Sequence, residues 1–143
     1  MIILAPVDRS EKGKHVLQEA SALAEAFDAE LHALHVLRRS DFVDLERTSV
    51  KETGKAADID EVKQTAKEIA EEAAADIDIE ATFVGRMGDP TDVILKYAED
   101  NDARYIVLGP RKRSPTGKAI FGSVSQSVLL DSACPVVTTM VDE

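Results

Sequence analysis

Apolar residues recur along this chain in two rhythms, continuous or alternating runs and helical stripes, and their succession sets out the fold. Met1 to Val7 is an apolar run ending at Asp8, the pattern of a strand buried on both faces, as parallel sheets require. Ser10 is placed to cap a helix in which Val16, Ala20, Leu23, Ala24 and Phe27 fall at i, i+4, i+7, i+8 and i+11. Leu31 to Leu37 reads as a second strand, and Val62, Ala66, Ile69, Ala70 and Ala73 repeat the helical stripe. Ile77, Ile79, Ala81 and Phe83 then alternate with Asp78, Glu80 and Thr82, which predicts a third strand with one wet face at a sheet edge.

Asp89-Pro90-Thr91 opens a third helix carrying Ile94 and Ala98, with Pro90 where a missing amide hydrogen costs little. Tyr105 to Leu108 is a continuous apolar strand ending at Gly109, a last helix runs from about Ser123 to Asp131, and Pro135 to Met140 is the last strand. The order βαβαβαβαβ predicts an α/β fold, a five-stranded parallel open sheet with helices on both faces, Rossmann-like. The first and fourth strands are the driest and belong side by side at the centre, with the third and fifth at the edges. Arg38 to Ala57 is polar, contains Gly54 and reads as a long loop, either a lid or an insertion with a helical turn near Asp41 to Glu46.

The length of 143 residues predicts one domain over 1–143. No apolar run approaches the roughly 18 residues of a membrane span, and Met1 to Val7 lacks the basic start of a secretory signal, so a cytoplasmic protein is expected. Cys134 is the only cysteine, which excludes an internal disulfide. With 27 acids against 17 bases the net charge is −10, which opposes nucleic acid and anionic membranes as partners. The acids between Asp58 and Glu80 read as a solvated helix face. Between Gly109 and Lys118 the sign reverses, with Arg111, Lys112, Arg113 and Lys118 and no acid.

In an open parallel sheet a ligand sits beyond the carboxyl ends of the strands, where the crossovers change sides. Asp8 and Gly109 mark that place. Asp8 could accept hydrogen bonds from a ribose or a base, hold a divalent ion, or simply cap a turn. Gly122-Ser123 starts the last helix, where backbone amides favour an anion, and the basic stretch before it supplies charge; the alternative is a plain basic loop with a capping serine. Gly117-Lys118 is followed by Ala119, so this is not a Walker A loop. His32 and His35 lie three apart on a strand, point to opposite faces and cannot share a metal. Cys134 reads as a buried, inert thiol and Ser123 as a helix cap or phosphate ligand rather than a nucleophile.

From Ala5-Pro-Val-Asp8 through the Gly88-Asp-Pro90 turn and Gly109 to Gly122-Ser123 and Ser132-Ala-Cys-Pro-Val136, the chain resembles a universal stress protein domain over nearly its whole length. Members of that family that bind ATP share glycine, two residues, glycine, nine residues, then glycine and serine or threonine. Gly109 and Gly122-Ser123 fit the ends of this pattern, and Lys112 stands where the second glycine would be. The resemblance implies strand order 3-2-1-4-5 and a homodimer through the last strand, Val136 to Met140. It also implies a site for ATP or AMP, with Mg²⁺ as a further candidate, formed by Pro6, Asp8, Val36, Gly109, Arg111, Lys112, Gly122, Ser123, Val124 and Ser125. Asp8 would meet the adenosine end and Val36 the adenine, with Gly109 and the residues after it around the phosphates and ribose. Lys112 would either block the site or replace a backbone contact with an ammonium. The expected function is a stress-response regulator that binds an adenine nucleotide without needing catalysis. The alternatives are a nucleotide-independent dimeric module whose basic loop meets an acidic partner, and a slow ATPase or autokinase using Asp8 for a metal and Ser114, Thr116 or Ser123 as phosphate acceptor.

Overall fold

Strands and helices alternate as the hydrophobic pattern requires in this computed structural model, which describes residues 1–8, 13–41, 59–110, 112–113 and 115–140. They are β1 (Ile2–Pro6), α1 (Gly13–Ala26), β2 (Glu30–Leu37), α2 (Ile59–Ala73), β3 (Thr82–Met87), α3 (Pro90–Asp100), β4 (Ala103–Leu108), β5 (Lys112–Arg113), β6 (Ala119–Ile120), α4 (Ser123–Asp131) and β7 (Val136–Thr138). The Ser10 cap and most of the loop from Arg38 to Ala57 lie outside the described residues, although residues 39–41 are helical.

Five strands form one parallel sheet in the order β3-β2-β1-β4-β7, the predicted architecture with the two driest strands adjacent. Successive side chains of β1 divide between two cores. Ile3, Ala5 and Val7 join Val16, Leu17, Ala20 and Ala24 of α1, whereas Ile2 and Leu4 join Ile94 and Ala98 of α3 and Val128 of α4. Helices on both faces therefore bury the central strands from each side, which is why their sequences are apolar without alternation. Val62, Ala66 and Ile69 of α2 cover Leu37 in a third cluster, and α2 presses so close to β3 that a Cβ on Gly85 would lie 2.0 Å from the Lys63 carbonyl oxygen. The described acids from Asp60 to Glu80 are exposed, as expected of a solvated face. No helix among the described residues is long and apolar enough to cross a membrane.

The third strand differs from its expectation. Ile77, Ile79, Ala81 and Phe83 do pack on the core, but pairing with β2 begins only at His32 with Thr82 and runs to Leu37 with Met87. Alternation reports which side chains are buried, and residues 77–81 satisfy it as a connection without a ladder, entered by a turn in which the Ile77 N–H donates to the Ala74 carbonyl at 3.2 Å. The last strand is likewise shorter than Pro135 to Met140, because β4 offers partners only from Ile106 to Leu108. Phe27 falls beyond the end of α1, where it is partly exposed and stacks at 5.4 Å on Tyr105 with Arg104 over both rings. The two-residue strand β5, inside the basic stretch, forms a small antiparallel pair with β6 just beyond it, a feature too short to leave a periodic signal.

Candidate functional site

A cleft of about 470 Å³ opens beyond the carboxyl ends of β1, β2 and β4. It forms there because α1, following β1, packs on one face of the sheet and α3 and α4 on the other, so the chain parts between β1 and β4. Pro6, Asp8, Val36, Gly109, Gly122, Ser123, Val124 and Ser125 all line it, so eight of the ten expected site residues come together from segments far apart in the chain. Arg111 and the side chain of Lys112 lie outside the described residues; the Lys112 backbone pairs with Ile120.

The β1 side of the cleft is built from backbone upward. The β1–β2 ladder reaches Pro6 opposite Leu34, after which the Val7 N–H donates to the Leu34 carbonyl at 2.9 Å. The Val7 carbonyl accepts from His35 Nδ1 at 2.7 Å. Asp8 is the next residue, exposed at the mouth. Gly109 ends β4 against the opposite wall of α1, where a Cβ would sit 2.9 Å from Val16 Cγ2 and 3.3 Å from the Thr139 hydroxyl oxygen. Only a glycine lets the backbone come this close. Among the described residues the buried Thr139 hydroxyl has no hydrogen-bond partner.

Three helices start at the cleft, α1 at Gly13, α3 at Pro90 and α4 at Ser123, and the caps of the last two differ. At α3, Asp89 accepts from the Asp92 N–H at 3.2 Å, and Pro90 presents no amide hydrogen. At α4, Gly122 occupies the cap with φ −70° and ψ 168°, has no side chain to accept from the first turn, and contributes only its carbonyl to Gln126 at 3.0 Å. Among the described residues no side chain caps the first α4 turn, whose amides lie beside the Ser123 and Ser125 hydroxyls. Apolar surface comes from Leu34, Val36, Ile94 and Leu108, which would suit the flat face of a base, and polar groups from His35, Arg38 and Asp41. The Asp41 carboxylate accepts from the Arg38 backbone N–H at 2.9 Å, which folds this short turn against the mouth.

His35, Arg38 and Asp41 were not among the expected site residues. Position was the available signal, since His35 lies near the end of β2 and Arg38 and Asp41 follow that strand on the side where ligands sit. His32 points to the other face, as its spacing predicted. Its Nδ1 lies 2.6 Å from the Tyr97 hydroxyl and its Nε2 3.4 Å from the Glu30 carboxylate, and burial pushes the Tyr97 hydroxyl above its ordinary pKa. Cys134 is half-buried rather than buried; the Ser132 hydroxyl donates to its carbonyl at 2.8 Å and accepts from its N–H at 3.2 Å, which closes the turn into β7. Among the described residues no group of three or more His, Cys, Asp or Glu could hold a metal ion.

Comparison with known proteins gives a match to the model of the universal stress protein family over residues 1–139. The chain is similar to the universal stress protein YxiE of Bacillus subtilis, 31% identical with 94% of this chain and 95% of that protein covered. Among solved structures it is similar to a universal stress protein from Archaeoglobus fulgidus in complex with dAMP, 25% identical with a TM-score of 0.55, covering 96% of this chain and 94% of that one. A universal stress protein in complex with cAMP has the same fold, 21% identical with a TM-score of 0.58, covering 99% and 98%.

Proposed function

This chain belongs to the universal stress protein family, and from that premise we propose that its cleft binds an adenine nucleotide, ATP or AMP, through which the protein acts as a stress-response regulator. The observation that carries the reading is the convergence in one cleft of Asp8, an apolar wall of Leu34, Val36 and Ile94, and the glycine-capped start of α4. Adenine packs against the apolar wall, Asp8 accepts from the nucleoside, and the phosphate takes the first-turn amides of α4 with the Ser123 and Ser125 hydroxyls. The dAMP held by the Archaeoglobus relative supports this choice of ligand class. The chain works in this reading as one cytoplasmic domain that needs no catalytic step, and Arg111 and Lys112 add charge at the phosphate end. Denaturing the purified protein and chromatographing what is released, followed by calorimetry with adenosine, AMP and ATP, tests it. Adenine nucleotide in the released fraction and micromolar binding support the reading; no binding of any of the three removes it.

The same reading includes a homodimer through β7, a three-residue edge strand whose outer backbone groups would otherwise face water. Light scattering at micromolar concentration should give twice the chain mass in low and high salt. Val137→Pro should shift the protein towards monomer by removing a ladder donor, with circular dichroism checking that the fold survives.

A further inference from the structure

The sequence of β2 holds a histidine on each face, and only one of them reaches the cleft. We propose that His35 is a positioning residue of the site: by donating its Nδ1 hydrogen to the Val7 carbonyl it orients the peptide that carries Asp8, and so sets how Asp8 meets the nucleoside. The inference rests on the nucleotide reading of the cleft and assigns within it a group that neither the periodicity of the strand nor the glycine pattern marks.

The chemistry of the contact fixes its direction. A carbonyl oxygen can only accept, so at 2.7 Å a hydrogen must be on Nδ1. The Val7 carbonyl belongs to the same planar unit as the Asp8 N–H and Cα, so a bond to that oxygen fixes the plane from which Asp8 departs. The backbone ladder cannot do this alone. Its last register pair is Pro6 with Leu34, Pro6 has no N–H to give, and the Val7 N–H to Leu34 bond holds the preceding peptide rather than this one. The His35 side chain takes the place of the next rung. His32, on the opposite face, binds Tyr97 and Glu30 and has no route to Asp8, which makes it an internal contrast.

Two measurements test the proposal. In the wild-type protein, ¹⁵N chemical shifts of the His35 ring should show hydrogen on Nδ1; a ring with hydrogen on Nε2 alone overturns the proposal without any variant having to fold. In calorimetry with adenosine, His35→Leu should weaken binding about tenfold, the scale of one lost hydrogen bond. His35→Asn, whose side-chain amide can donate from near the Nδ1 position, should recover most of that loss. In an Asp8→Ala background, His35→Leu should cost less than about twofold, because the residue it positions is gone. A full tenfold loss in that background means that His35 acts on the ligand or on the fold by another route, and overturns the proposal. Wild-type protein that binds no adenosine, AMP or ATP overturns the cleft reading itself and this inference with it, whereas binding with additive losses overturns the inference alone.

Discussion

Both α3 and α4 begin at the cleft, yet one start is closed by its own residues and the other is open. Asp89 puts a carboxylate on the first turn of α3 and Pro90 removes an amide that would need a partner. Gly122 puts nothing on the first turn of α4, and Ser123, Val124 and Ser125 line the cleft behind it. Both helices have a dipole of the same sense and first-turn amides outside the helical ladder. The difference lies in Asp89 and Pro90 at one start against Gly122 and Ser123 at the other, and it shows that a helix start becomes a candidate anion site only when the chain declines to satisfy it internally.

Exchanging the caps should break this comparison most severely. Gly122→Asp would place an α3-type carboxylate on the first turn of α4, at a backbone conformation any residue can adopt. AMP and ATP should weaken by tenfold or more on calorimetry, through competition for the amides and repulsion of the phosphate, while adenosine is retained. Equal losses for adenosine, AMP and ATP would remove the phosphate from this helix start. Asp8→Ala acts on the other end of the ligand and should weaken all three about equally, by about tenfold for one charge-assisted hydrogen bond. A loss confined to the phosphorylated ligands would place Asp8 at the wrong end.

Opening the closed cap should affect stability instead. Asp89→Ala removes the bond to Asp92 and is expected to cost about 1 kcal/mol in urea unfolding, with nucleotide affinity unchanged. A gain in phosphate affinity would show that α3 can serve as well, and that the caps do not choose between the two helices. The smallest expected effect is at Lys112, where this chain departs from the family's glycine. If its ammonium serves the phosphate, Lys112→Ala weakens ATP more than AMP, by about 1 kcal/mol, and the difference shrinks as salt rises. Stronger binding by Lys112→Gly would assign it the blocking role, and unchanged affinity in both variants would remove it from the site.

Much of this cleft was legible before any coordinates because strand ends and helix starts are local events. Asp8 follows an apolar run that only a doubly covered strand explains, Pro90 and Asp89 announce a helix start, and the interval from Gly109 to Gly122-Ser123 matches a family pattern. The third strand shows where local reading fails. Residues 77–81 bury alternate side chains as a strand would, and the chain begins to pair only at Thr82, because a ladder needs a neighbour in register and alternation does not encode one.

The amino-acid sequence by itself determined the element order, the covered faces of β1 and β4, and the residue types at the cleft, since each depends on the solvation of side chains along a single segment. Only the tertiary structure decided that Pro6, Val36, Gly109 and Ser125 share one cleft, that a side chain at Gly109 would displace Val16, and that His35 rather than His32 bonds to the end of β1. Those facts depend on distances between segments dozens of residues apart. Such distances are set by how α1, α3 and α4 pack across the sheet, and no periodicity within one segment records them.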